Sequence, residues 1–554
     1  MTGTSYATED YWSVVVLWTS TALGGARGAL RGWARATRAS LATARPTVGV
    51  IANARARPVR VRGHWRYEGD REDCRKFRGL TRALLTALIG AVGLTSCAGN
   101  PWSAPTLAGL SRNSAPGTHH QSGSYIQHII VMIQENRSFD DLFATFPGAD
   151  GTTTGKIRGR HGSRQIPLQK VNLVEPCSFG HSYNGFITAY DRGRMDGFNK
   201  EGVNNKCLPG PAGKRPYQYV DPSQIAPYWQ IANTYVVADH MFQTQGSGSY
   251  TAHQDLIRGG TMINETQTRS LVDSPTSLPW GCDNKAPGTT TPLLIWSKNT
   301  LHHQGGGPFP CSNKFPGSGA YYETLATLLD NASVSWKYYS PVVKNGEGGY
   351  WNAFDTIASV RYGPEWGTNV TTTEPFEKAI FSDIQYGKLA AVSWVIPDDN
   401  NSDHPGSSHD TGPSWVASVV NAVGQSSYWD STAIVVVWDD WGGFYDHVPP
   451  PIKDEWGGLG FRVPMLVVSP YTRKGSGSQG GYISTTQYEF GSILKFIENN
   501  WTLPSLGTTD VRANSIADCF NFSHHARKFK AIQAKYSRTY FERQPPSWQP
   551  VDTE

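Results

Sequence analysis

The stretch "IIVMIQENRSFDDLF", residues 129–143, decides the reading of the fold. Ile129 to Ile133 are apolar throughout and include β-branched side chains, the composition of a short strand buried on both faces. Gln134, Glu135, Asn136, Arg137, Ser138, Asp140 and Asp141 then follow without a break. In open α/β sheets, ligands bind beyond the carboxyl ends of the strands, so the abrupt change predicts a site. The plainer alternative is a strand end meeting water, where Asn and Asp form turns and a helix cap.

The same pattern recurs downstream. Apolar strand candidates lie at Tyr235–Ala238, Val334–Tyr339, Leu389–Ile396, Ala433–Trp438 and Met465–Ser469. Between them are helical patterns at 412–425 and 485–501. In the second, Phe490, Ile493, Leu494, Ile497 and Trp501 form an amphipathic stripe. Strands alternating with helices predict an α/β fold with a mainly parallel central sheet and helices on both faces. Residues 260–325 are rich in Gly, Pro and Thr and read as a surface excursion.

Three more strand ends run into polar clusters. "AIVVVWDDWGGFYDHVPPP" (433–451) places Asp439 and Asp440 before a Gly-Gly pair. Neighbouring strand residues point to opposite faces, so both carboxylates reach one ion only if the backbone turns there, as Gly442 and Gly443 allow. Adjacent carboxylates also repel unless a cation or proton lies between them. "LAAVSWVIPDDNNSDHP" (389–405) ends in His404, and "QTQGSGSYTAH" (243–253) flanks Ser247 and Ser249 with glycine. His447, in "YDHVPPP", reads as a support for its loop. A sheet brings such ends together, which favours a site over four separate turns.

Composition sets the compartment. With 17% charged residues and a net charge of +5, the chain reads as globular and makes no strong case for a nucleic-acid partner. The excess basic residues concentrate in the first 82 positions. There "RKFRGLTR" (75–82) precedes the uncharged apolar run "ALLTALIGAVGL" (83–94), a secretory-signal pattern. The run is shorter than the roughly 20 residues a crossing helix needs. It ends in "LTSC", which resembles a bacterial lipobox with Cys97 as the lipidated residue. Residues 1–74 then read as an unstructured extension or a misassigned start, 75–97 as the signal segment and 98–124 as a flexible tether. The expected location is exported: periplasmic, extracellular or membrane-anchored, in a bacterium. Cys177 with Cys207, and Cys282 with Cys311, each close a loop of about 30 residues, worth roughly 3–4 kcal/mol if crosslinked. Cys519 is left over.

Four segments carry a resemblance. "HIIVMIQENRSFDDLF", "ADHMFQTQGSGSYTAHQDLI", "SDHP" followed by "WVASVVNAV", and "WDDWGGFYDHVPPP" continuing to "GLGFRVPMLVVSPY" resemble the bacterial phosphoesterase family of non-haemolytic phospholipases C and acid phosphatases. The likeness spans about Tyr125 to Trp501, within a catalytic domain running to 554. It implies an alkaline-phosphatase-like fold and one divalent metal ion held by Glu135, Asn136, Asp439, Asp440 and Ser249. It further implies Ser249 as the nucleophile, with Ser247 as the competing choice, and His404 and His181 beside the phosphoryl group. The family's nucleophile setting is Gly-x-[Ser/Thr]-x-x-[Asn/x]-[His/Arg]. A further histidine of the acid-phosphatase branch has no clear match here. Hard divalent ions favour carboxylate and carboxamide oxygens, so the residue types suit that role.

The expected function is therefore metal-dependent hydrolysis of phosphodiester bonds in phospholipids, with a membrane surface reached through a lipid anchor. The alternatives are a broad-specificity acid phosphatase and a catalytically silent surface lipoprotein. No Cys-x-Pro-x-Arg sequence marks a sulfatase.

Overall fold

The computed structural model describes residues 124–547, apart from 206, 208–209, 265, 267, 278–279, 285–287, 299, 308–310, 312–322, 342, 344–350, 372–374, 452–457 and 476–479. The extension, signal segment, Cys97 and nearly all of the tether lie outside the described residues. No described helix is long and apolar enough to cross a membrane.

Seven strands form the central sheet: β1 His128–Gln134, β2 Val236–Ala238, β3 Trp336–Tyr339, β4 Val392–Val395, β5 Thr432–Trp438, β6 Met465–Val468 and β7 Tyr482–Ser484. Their order is β3-β4-β1-β5-β6-β2-β7, and β6 alone runs against its neighbours. Every apolar run expected to be a strand is one, trimmed by a few residues at some ends. The seventh, Tyr482–Ser484, was not expected, because three residues carry no periodicity. In β1 every residue after His128 is buried, as are all of β4, β5 and β6, which explains their unbroken apolar composition.

Helices cover both faces. We label α1 Phe139–Phe143, α2 Tyr183–Tyr190, α3 Ala226–Thr234, α4 Ser249–Arg258, α5 Gly412–Gly424 and α6 Phe490–Trp501. Trp394 of β4 donates its indole N–H to Leu256 O of α4 at 3.2 Å. Trp438 of β5, on the opposite face by register, meets the Tyr228 ring of α3 edge-on at 4.9 Å. α4 packs with α6, and α3 with α5. α6 begins at Phe490, later than the sequence pattern suggests, because Glu489 and Ser492 form a reciprocal capping box.

The 260–325 excursion carries a small antiparallel sheet of Arg269–Leu271, Thr291–Ser297 and Thr300–Gly307. Disulfides join Cys177 to Cys207 and Cys282 to Cys311, the pairs the spacing suggests, and Cys519 is a buried free thiol.

Candidate active site

Strands β1, β2, β4 and β5 are mutually parallel, so their carboxyl ends share one edge of the sheet, and the four polar clusters meet there. Asn136 follows β1 with φ +56°, a left-handed conformation that asparagine tolerates better than most residues. Its backbone N–H donates to Asp439 Oδ1 at 2.9 Å, stitching the ends of β1 and β5 together. Gly442 and Gly443 have φ of +59° and +76°. A Cβ on Gly442 would lie 2.2 Å from Asn136 O, so only glycine fits this turn. The Gly442 N–H returns to Asp440 Oδ1 at 2.7 Å.

Ser249 opens α4, which places its side chain at the helix N-terminus, where partial positive charge accumulates. Its Oγ donates to Asp440 Oδ2 at 3.0 Å and lies 3.4 Å from the Asn136 carboxamide. Ser247 is engaged elsewhere. Its Oγ accepts from Thr251 Oγ1 at 2.6 Å and from the Asp273 N–H at 2.8 Å, and contacts Asp273 Oδ1 at 3.3 Å. Of the two serines, Ser249 is the one among the acids.

His181 and His404 share one arrangement. His181 Nδ1 is 2.7 Å from Phe179 O, and His404 Nδ1 is 2.6 Å from Pro405 O. Each ring thus directs Nε2 at the Asn136 carboxamide, at 3.0 and 3.3 Å. His181 Nε2 is also 3.6 Å from Asp440 Oδ2.

Sequence reasoning assigned no role to His253. It lies four residues after Ser249, on the same face of α4. Its Nε2 is 2.9 Å from Glu135 Oε1 and 3.8 Å from Asp439 Oδ2, and its ring stacks over Trp351. With Ser249 at the Ser/Thr of the nucleophile motif, its last position, [His/Arg], falls on His253, although Ser247 stands where the motif has glycine; that position was the available signal.

These groups are almost completely buried, and burial sets their protonation. Desolvation, reinforced by the Asp439 charge, holds Glu135 well above the ordinary carboxylate range and pushes Asp440 up to about 8. Desolvation lowers His253 to about 4, keeping the imidazole neutral. Asp439 Oδ2 has no hydrogen-bond partner, nor has His253 Nδ1. Asn136 can face this cluster in two ways. With its amide nitrogen inward it donates to Glu135 Oε2 at 3.0 Å and Asp439 Oδ1 at 3.2 Å. With its oxygen inward it meets only acceptors, an arrangement that a cation would resolve. Glu135, His253 and Asp439 can each direct one donor atom to a common point. An oxygen-rich, crowded, orphan-bearing cluster of this kind fits a hard divalent cation.

A second acidic cluster is different. Asp140, Asp446 and His447 surround the buried Arg462 guanidinium, which lies 2.9 Å from Asp446 Oδ1 and 3.4 Å from Asp140 Oδ1. His447 Nδ1 sits 2.8 Å from Asp140 Oδ2, so His447 braces its loop as its sequence setting suggested. Arginine already supplies the cation there.

A serine among buried acids, flanked by backbone-anchored histidines, thus lies at the carboxyl edge of the parallel strands. The chain belongs to the phosphoesterase family, whose model matches residues 126–504. It is similar to a non-hemolytic phospholipase C of Pseudomonas aeruginosa, at 24% identity over 73% of this chain and 59% of that protein. Phospholipase C A of Mycobacterium tuberculosis is 25% identical over 80% of this chain and 85% of its own length. Non-specific phospholipase C6 of Arabidopsis thaliana is 23% identical over 70% of each chain. The chain therefore spans less than two thirds of the Pseudomonas protein. A solved Vibrio parahaemolyticus protein of the alkaline phosphatase superfamily shares 10% identity over 71% of this chain and 72% of that one, at a TM-score of 0.29, a likeness too slight to carry an argument.

Proposed function

We propose that the protein is a metal-dependent phosphodiesterase of the phospholipase C type, with Ser249 as nucleophile. The observation that carries this reading is the Ser249 hydroxyl at a helix N-terminus, hydrogen-bonded to Asp440 within the buried Glu135–Asn136–Asp439 cluster. The relatives' names supply the lipid substrate class. Glu135, Asn136, Asp439, Asp440 and Ser249 would hold a divalent ion, with His253 bracing Glu135 or joining the set. When bound, such an ion supplies Lewis acidity that favours the serine alkoxide and offsets charge on phosphoryl oxygens.

The chain's own groups then divide the work. Asp440 Oδ2 fixes the direction of the Ser249 O–H, leaving an Oγ lone pair for phosphorus. As the Oγ–P bond forms, the Ser249 proton passes to Asp440 Oδ2, the bond from phosphorus to the leaving oxygen breaks, and that oxygen takes a proton. His181 and His404 are suited to donate it as imidazolium ions, because each Nδ1–H is held on a carbonyl and Nε2 is the nitrogen left to exchange a proton. Water then cleaves the phosphoserine, returning phosphomonoester and free Ser249. The backbone N–H groups at the start of α4 face the negative charge that develops meanwhile.

The test is turnover of purified phosphodiesters and phosphomonoesters with and without chelator. Chelator-sensitive release from diesters supports the reading, whereas chelator-resistant turnover, or monoesters alone as substrates, overturns it. We also propose export through residues 75–97 with Cys97 lipidated and residues 98–124 as the tether. Two acyl chains anchor stably where a single chain does not. Mass spectrometry of the mature N-terminus decides this: an unmodified end downstream of Cys97 rejects the anchor.

A further inference from the structure

A cavity of about 530 Å³ lies beside the site, walled by Tyr183, Phe186 and Ile187 of α2 together with Gly246, Met262 and Leu294. We propose that it receives an acyl chain of the substrate, an inference that rests on the phospholipase reading above. That volume is typical of small-molecule sites. One wall adjoins the catalytic loops, since Tyr183 is two residues beyond His181 and Gly246 is three before Ser249, while the opposite wall is formed by Gly259 and Gly260 beyond the end of α4 and by Thr508 and Thr509. Asp273 makes these loops one unit. Its Oδ1 accepts from the Tyr183 backbone N–H at 2.6 Å and contacts Ser247 Oγ at 3.3 Å. Phe186 packs so tightly over Gly246 that a Cβ there would lie 2.1 Å from the ring. A ligand held by this wall is therefore held at a fixed place relative to Ser249.

The lining is mainly apolar, and several of its polar side chains are already engaged within the protein. Thr261 Oγ1 is engaged with Ser270 Oγ and Leu271 O, both at 2.7 Å, and receives Gln245 Nε2 at 2.8 Å. Arg512, which also lines the cavity, is held in a two-bond pair with Glu489, at 2.9 Å each. The cation is thus matched within the protein, which disfavours an anionic headgroup. Ile187 is 46% exposed at the wall and adds aliphatic surface to the mouth of the cavity.

The experiment compares glycerophosphocholine with monomeric diacyl phosphatidylcholines of four to eight carbons per chain. Burying each methylene should raise kcat/KM about fourfold until the cavity is full. Ile187→Asp and Met262→Asp, both at partly exposed positions, should flatten that series while leaving glycerophosphocholine hydrolysis unchanged. Turnover with no dependence on chain length in the native enzyme overturns the acyl site and leaves the phosphodiesterase reading intact. An unflattened series in both variants also overturns it. No turnover of any of these diesters removes the phospholipase reading and this inference with it.

Discussion

Replacing Gly442 by alanine tests the turn that brings Asp440 to Ser249. The residue sits at φ +59°, where a Cβ costs roughly 1–2 kcal/mol. That Cβ would also lie 2.2 Å from Asn136 O, a backbone atom in a buried place. Relief requires a displacement of about 1 Å, with an overpacking cost of roughly 1–3 kcal/mol. The expected loss of stability is about 2–5 kcal/mol. Because the Gly442 N–H holds Asp440 and the clash falls on Asn136, the displacement reaches the site itself. A 1 Å misplacement of catalytic groups costs about 100-fold in rate. Gly213→Ala is the control, since its φ is +66° and nothing lies within 4 Å of the added Cβ. It should cost about 1–2 kcal/mol and keep full turnover. Urea unfolding followed by tryptophan fluorescence, with kcat on a soluble diester, reads both effects. A Gly442→Ala protein as stable and active as Gly213→Ala would refute the reasoning.

His253→Ala removes the imidazole 2.9 Å from Glu135 and should weaken binding of Mn²⁺, Zn²⁺ or Ca²⁺ about 10–100-fold, measured by calorimetry with each ion in turn. Undiminished affinity would remove His253 from the site. Metal-free protein should lose stability as pH rises towards 8. Glu135 and Asp440 titrate above their unfolded values, so the unfolded chain binds fewer protons in that range. Added metal should reverse the trend and release protons at pH 7, detectable as a buffer-dependent binding enthalpy; a flat profile without metal contradicts this. Burial raises Cys519 to about 12, so iodoacetamide at pH 8 should modify it only after unfolding, as peptide mass spectrometry would report.

The central sheet was legible because its strands are buried on both faces and so read as unbroken apolar runs. Tyr482–Ser484 and the small sheet within 269–307 were not, since their strands are short or alternate irregularly and depend on partners distant in sequence. The candidate site residues Glu135, Asn136, Ser249, His404, Asp439 and Asp440, which the fold brings together, were visible as polar clusters following strands. His181 was not so placed by pattern, and only the family resemblance pointed to it. His253 was hidden because a histidine inside a helix looks like any core residue until the helix is oriented. Asp273 was also silent: nothing local marks an aspartate in a loop as the tie between two others.

The most direct test is rapid quenching of the enzyme during turnover of a phosphodiester, followed by peptide mass spectrometry. The account predicts on Ser249 the substrate's phosphoryl group with its remaining ester group attached, absent from Ser249→Ala, which should keep its fold and lose turnover, while Ser247→Ala still carries that adduct at Ser249. That adduct on Ser247 or another residue, or a Ser249→Ala enzyme that still turns over, would contradict it.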